Sequence, residues 1–325
     1  MLTPEALLQK AVLNVTGPGG DVGTADFGGA NQAPLSIEQV TQFIELMSAQ
    51  QVMLPDVRTV TSSASKWQES IISFSDRITH GGVEATRLAA GDREKPGTGL
   101  VEISTVLLRA EVPVSDEVFE DNVAGQNLVN SLERLIADRF GYDVEDLMVN
   151  GDLLSGDPYL ALNDGWLVQA VADGHVVDGS AYGKDYQAIF KSLIQAIPHR
   201  FLRNLRAQGR FYVPQTTEFE YRDILAARGT ALGDLMLTTD GELRYQGILI
   251  KGVPAFAIAD PGDTSSILLT NPMNLYAGFH RAMKFETWRD PREGATSFIV
   301  TARVDAEVAV PDALAIATDV DVSVD

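Results

Sequence analysis

No cysteine occurs anywhere in the 325 residues. Disulfides, thiolate nucleophiles and cysteine-based metal centres are excluded together, and the composition suits a reducing compartment. Histidine is scarce as well. His80, His175, His199 and His280 stand far apart and form no HExxH pattern, so the sequence offers no histidine-built metal site. No apolar run reaches the roughly 18 residues that a membrane helix needs. The N-terminal MLTPEALLQKAVLNV lacks the basic start and small-residue cleavage site of a signal peptide. A soluble protein without a membrane partner is expected. Positive charge is in deficit, with 25 basic residues against 45 acidic ones and a net charge of −20. Such a surface disfavours non-specific capture of nucleic acid through its phosphates.

What is present is an ordinary globular composition, 45% hydrophobic and 22% charged, on a chain long enough for one large domain with insertions or two coupled domains. Its most informative stretch runs from Ser65 to Asp152. β-Branched and aromatic residues are frequent from Lys66 to Arg77 and again from Gly99 to Val112, which predicts two long strands. The segment between them, Thr79 to Gly99, mixes glycines and Pro96 with charges and reads as an exposed tip. A strand of about twelve residues spans roughly 40 Å. An isolated two-stranded arm of that reach is marginal in water, so it is expected to complete itself against a neighbouring molecule.

Around this arm the elements are read as follows. Gly17 to Pro34 is Gly-rich and reads as a flexible arm, and lacks the strand and the Lys-Ser/Thr of a nucleotide loop. Ser36 and Gln39 form a capping-box pattern ahead of a helix from Ile37 to Ser48. Val52 to Thr61 is apolar and extended in character, and Ser115 caps a short helix that starts with Asp116 and Glu117. From Gln126, Leu128, Leu132, Leu135, Ile136, Phe140, Val144, Leu147 and Met148 keep a helical rhythm until Asn150-Gly151, predicting a spine about 37 Å long. Gly151 to Gly183 reads as irregular. A helix through Ile189 and Leu193, a strand at Arg210 to Pro214, a helix at Thr217 to Ala227 and a strand and turn at Tyr245 to Phe256 suggest a compact α+β unit. Further strands are expected at Ile267 to Thr270, Leu275 to Phe279 and Ser297 to Val310, followed by a solvated acidic tail, DVDVSVD.

Candidate chemistry is thin. No GxSxG occurs, and GSAYG at Gly179 has the wrong order for a nucleophile elbow. Asp143, Glu145 and Asp146 fall mostly on the solvated side of the long helix, so an acid/base pair is not expected there. Lys95, at the tip, is the one basic group that raises covalent chemistry. An isopeptide bond would need a neighbour's Asn and a carboxylate in a dry pocket, and the sequence identifies neither. An exposed lysine on a charged turn is the simpler reading. A hydrolase assembled from Asp116, Glu120 and Asp152 is a distant alternative, with no convergent motif behind it.

The order of these elements, with the strings LSIEQVTQFIELM at Leu35, LRAEVPVSDEVFEDN at Leu108, DLMVNGD at Asp146, LNDGWL at Leu162, YRDILAARGTALGD at Tyr221, YQGILIKGVPAF at Tyr245 and TARVDAEVAVPDAL at Thr301, resembles the major capsid proteins of tailed, double-stranded DNA bacteriophages. The resemblance implies an α+β fold with an N-terminal arm (1–61), an extended hairpin or E-loop (62–113) and a peripheral P domain with a spine helix (114–183). An axial A domain (184–290) and a return strand to the P domain (291–325) complete it. It further implies a non-enzymatic virion protein without cofactor or metal, assembling as hexamers and pentamers into an icosahedral shell in the host cytoplasm. Double-stranded DNA would be enclosed without sequence-specific binding, and scaffolding, portal and decoration proteins are the implied partners. Assembly contacts are expected at Lys66, Trp67, Phe74, Arg77, Arg93, Lys95, Leu100 and Arg109. An encapsulin-like compartment, which resembles the same fold and encloses enzymes, is the alternative within structural proteins.

Overall fold

The computed structural model describes residues 51–73, 78–81, 84, 87, 89, 97–115, 126–227, 242–256, 264–280 and 283–323. The expected N-terminal arm, the helix from Ile37 to Ser48, most of the hairpin tip and the short helix after Ser115 lie outside the described residues. So do Phe74, Arg77, Arg93, Lys95, Asp116 and Glu120.

Along the chain the strands are β1 (Arg58–Ser62), β2 (Lys66–Ser73), β3 (Gly97–Ser104), β4 (Val106–Ser115), β5 (His175–Asp178), β6 (Arg210–Pro214), β7 (Arg244–Tyr245), β8 (Ile248–Val253), β9 (Thr264–Thr270), β10 (Leu275–His280), β11 (Lys284–Asp290), β12 (Ala295–Val308) and β13 (Ala315–Asp321). The helices are α1 (Gln126–Asn150), α2 (Trp166–Asp173), α3 (Tyr186–Ala196), α4 (His199–Gln208) and α5 (Gln215–Ala226).

Two sheets organise the molecule. In the five-stranded one, β12 is central. It pairs antiparallel with β10 and β11 along one side and with β4 along the other, while β1 joins β10 in parallel. Alternation along β12 decides its faces: Phe298, Val300, Ala302, Val304 and Ala306 are buried, and Thr301 and Arg303 lie opposite. Against the buried row packs α1, which presents Ile136, Ala137, Phe140, Val144, Leu147 and Met148 at helical spacing. The helix stops at Gly151, where a Cβ would sit 2.3 Å from the Asn163 carbonyl oxygen, so only glycine fits.

The six-stranded sheet runs β5-β13-β9-β6-β8-β7. Its inner strands are apolar and buried where both faces are covered, at Phe211–Val213, Ile267–Leu269 and Ala315–Ala317. Tyr212, Leu268 and Ile316 face the core shared with α1 and α2. Phe211, Val213, Ile267, Leu269 and Ala317 face α3, α4 and α5, where Phe190 meets Tyr221 edge-on at 5.3 Å between ring centroids.

Several expectations need correction. The second hairpin strand is broken at Thr105: β3 pairs with β2, whereas β4 leaves the hairpin and joins β12. Pro113 sits inside β4, which is tolerated because β4 is an edge strand. The start of the acidic tail, Asp319 to Asp321, is the end of β13, and Val320 and Val322 are buried. The segment read as irregular contains α2, and α4 went unread because its arginines leave only a narrow apolar strip of Phe201, Leu202 and Leu205. Strands β10 and β11, grouped above with 184–290, belong to the sheet of β4 and β12, while β13 belongs to the sheet that α3 to α5 cover.

Candidate assembly surfaces

The paired hairpin β2–β3 runs in register from Lys66 opposite Ser104 to Ser73 opposite Gly97. Eight residues carry it about 26 Å. It is fastened at its root. Trp67 and Ile103, directly opposite one another, lie over Gly278 of β10, where a Cβ would come within 2.5 Å of the Ile103 Cγ2. Val101 and Tyr276 complete this small cluster. Arg58 donates to the Tyr276 hydroxyl at 2.8 Å and bridges Glu69 at 3.2 Å, tying β1, β2 and β10. Further out, Leu100 is largely exposed.

Of the residues singled out from the sequence, the structure brings Lys66 and Trp67 to the hairpin root and leaves Leu100 bare on its shaft. Arg109 is elsewhere, on the exposed face of β4, 3.6 Å from Glu111.

Carboxylates converge beneath the root. Asp305 of β12, 2% exposed, accepts from the Ser104 backbone N–H, from Asn163 Nδ2 at 2.6 Å and from the Ala306 N–H at 2.9 Å. It thus holds the end of β3 and the loop after α1 together. Burial pushes its carboxyl above the usual range, against those donors. Two residues on, Glu307 is pushed up to about 7, first by burial and then by Asp305, Asp164 and Glu102. No sequence spacing announces this cluster, because its members come from β3, β12 and a loop.

A second junction fixes the start of the described chain. Glu145 of α1 is 1% exposed, not solvated as its sequence position suggested. Its Oε2 accepts from the backbone N–H groups of Val52, Met53 and Leu54 at 3.1, 3.2 and 3.4 Å. Burial raises its carboxyl, opposed by those three donors and by Lys251. Lys251 of β8 donates to the Val52 carbonyl at 2.8 Å and to Asp56 at 2.7 Å, and Arg210 of β6 also pairs with Asp56. The turn at 52–57 is therefore bolted to both the spine helix and the six-stranded sheet.

The loop that leaves α1 closes on itself, with Gly165 N–H donating to the Gly151 carbonyl at 2.8 Å and Asp152 N–H to that of Leu160 at 2.9 Å. At its outer turn, Leu153 N–H donates to Asp164 and Leu154 N–H to Asp152. Those two leucines are 56% and 93% exposed. Among the described residues, no group of His, Cys, Asp and Glu is arranged to hold a metal ion, and no helix is long and apolar enough to cross a membrane.

A hairpin that the described residues fasten at its foot, exposed leucines on a hydrogen-bonded loop and a long spine helix are features of a subunit with neighbours. The model of the phage capsid family matches residues 35–319. The chain belongs to that family. It is 31% identical over 283 residues to the protein named prophage capsid protein YqbE of Bacillus subtilis (strain 168), covering 85% of this chain and 89% of that one. The fold is similar to that in the satellite phage P4 procapsid, with a TM-score of 0.67, 15% identity and 99% and 100% of the two chains covered. It is also similar to the capsid of the native GTA particle, at a TM-score of 0.59, 15% identity and coverage of 93% and 97%. The SrpI encapsulin of Synechococcus elongatus PCC 7942 shares the fold at a TM-score of 0.51 and 13% identity, over 94% and 96% of the chains. The protein is a structural capsid protein of the α+β phage capsid fold, a component of the virion.

Proposed function

We propose that this capsid protein assembles with copies of itself, as hexamers and pentamers, into an icosahedral shell around double-stranded DNA. The observation that carries this is the match of the family model over residues 35–319 and of the fold over nearly the whole chain. In this reading the β2–β3 hairpin is the E-loop, the five-stranded sheet with α1 the peripheral unit, and the six-stranded sheet with α3 to α5 the axial unit that meets its neighbours at the capsomer centre. Lys66, Trp67, Leu100 and Arg109 contribute to the contacts, together with Phe74, Arg77, Arg93 and Lys95. Each such contact need bury only about 800 Å² per partner, because many weak edges sum in a closed lattice.

Net acidity favours this role, since a wall that gripped phosphate strongly would resist filling and emptying. The shell performs no catalysis. It forms in the host cytoplasm, and scaffolding, portal and decoration proteins are its partners; the similar P4 procapsid includes a size determination protein. Electron microscopy of the purified chain, alone and with the other products of its phage, tests the proposal. Rings or shells are the expected result, and a monomer under every condition overturns it. The likeness to an encapsulin supports a second reading, a compartment for protein. Nuclease-protected DNA inside isolated particles decides for the first; an enclosed enzyme without DNA decides for the second.

A further inference from the structure

The most exposed large apolar side chain among the described residues is Leu154, at 93%, next to Leu153 at 56%. The backbone that carries these leucines is held by hydrogen bonds. Leu153 N–H is held by Asp164 Oδ1 at 2.9 Å, Leu154 N–H by Asp152 Oδ1 at 2.8 Å, Ser155 N–H by the Asp152 carbonyl at 2.8 Å, and Tyr159 N–H by Asp157 Oδ1 at 2.9 Å. The loop is built to hold two leucines outward. It also lies in a stretch of one sign: between Arg139 and Lys184 the sequence contains no lysine or arginine, and the loop carries Asp152, Asp157 and Asp164, the first and last of which accept from the leucine N–H groups. An apolar knob with an acidic rim calls for an apolar surface with a basic one.

The same chain carries such a surface. On the face of the five-stranded sheet away from α1, Leu107 of β4 lies directly opposite Arg303 of β12, and Arg109 lies opposite Thr301. Side chains so paired stand about 5 Å apart on one face. Leu107 is 53% exposed and Arg303 is exposed. Arg109 pairs with Glu111 at 3.6 Å, with both groups largely in solvent. Nothing of the chain's own described residues closes over this patch.

We infer that the Leu153–Leu154 knob of one subunit seats on the Leu107, Arg109 and Arg303 patch of a second copy of this chain. The contact is head-to-tail, using different surfaces on its two sides, and so recurs around a ring or across a lattice instead of ending in a dimer. It rests on the shell-forming reading above and assigns one of its edges. Burying two leucines provides the attraction, and the aspartates against the arginines fix the register and reject the reversed pairing.

The absence of cysteine makes the test direct. Two singly substituted chains, Leu154→Cys and Leu107→Cys, are mixed in equal amounts with an excess of the parent chain, assembled, and treated with a short bifunctional maleimide. Covalent dimers on a denaturing gel are expected only when both variants are present and only from assembled material. Either variant alone stays monomeric, and so does the mixture before assembly. Shells that form normally and yield no heterodimer overturn the contact while leaving the shell-forming function intact. A chain that never assembles overturns that function, and this edge with it. As a second arm, Leu154→Asp is expected to lower the yield of assembled particles at least tenfold with a melting temperature unchanged within about 2 °C, whereas Leu154→Met assembles like the parent. Assembly of the aspartate variant at parental yield also sinks the proposal.

Discussion

Gly278 and Glu145 show how much rests on single side chains, or on the absence of one. A Cβ on Gly278 would come within 2.5 Å of Ile103. Gly278→Val is therefore expected to lift the hairpin root off β10 and to destabilise the subunit by about 1–3 kcal/mol through overpacking. Chemical unfolding measures that loss, and faster proteolysis between Ser73 and Gly97 would locate it. Glu145 serves three backbone donors at once. Glu145→Ala strands buried N–H groups and is expected to cost about 2–3 kcal/mol in the same assay. Glu145→Gln keeps an acceptor oxygen and should cost less. Equal losses in the two variants would show that the negative charge, and not the hydrogen bonding, is what the turn needs.

At the scale of elements, the hairpin root carries a linked proton. Glu307, pushed up to about 7 in the folded chain, would titrate near 4.3 when unfolded. The native state thus holds this proton more tightly than the unfolded state between those values, so its contribution to stability is complete below about pH 4 and fades as pH rises through 7. Glu307→Gln should leave melting unchanged at pH 5 and raise stability at pH 8 by about 1 kcal/mol, a figure discounted for its partial contact with solvent. Thermal unfolding of unassembled subunits at the two pH values checks this, and parallel curves for parent and variant contradict it.

Elements also show what the sequence made readable. Strong periodicity was enough for α1, whose predicted length matches, and for the alternating face of β12. It failed where tertiary pairing decides. Nothing local to residues 97–115 shows that one half pairs with β2 and the other with β12. Likewise, Val320 and Asp321 of the charged DVDVSVD lie in a strand through their pairing with Ser265 and Thr264 of β9. The pairing of β2 with β3 was legible through the β-branched residues on either side of the glycine-rich segment. Glu145, Asp305 and Glu307 were hidden because a carboxylate in sequence looks solvated until its partners arrive from elsewhere.

In the molecule as a whole, segments from far apart in sequence make each sheet. β1 pairs with β10, and β4 with β12, across most of the chain. Folding is accordingly expected to be slow for its size, on the scale of seconds or longer. Stopped-flow refolding of the isolated subunit would show this, and completion within milliseconds would contradict it.

The placement of β12 and β13 has a bearing on synthesis. β12 and β13, both late in this sequence, each fill an interior position, one in each of the two larger sheets. Until they emerge, β4 has no partner and β5 has nothing to join. A chain broken off before β12 loses the central strand of one sheet and the strand that joins β5 to the other, and is expected to be unable to take a place in the wall.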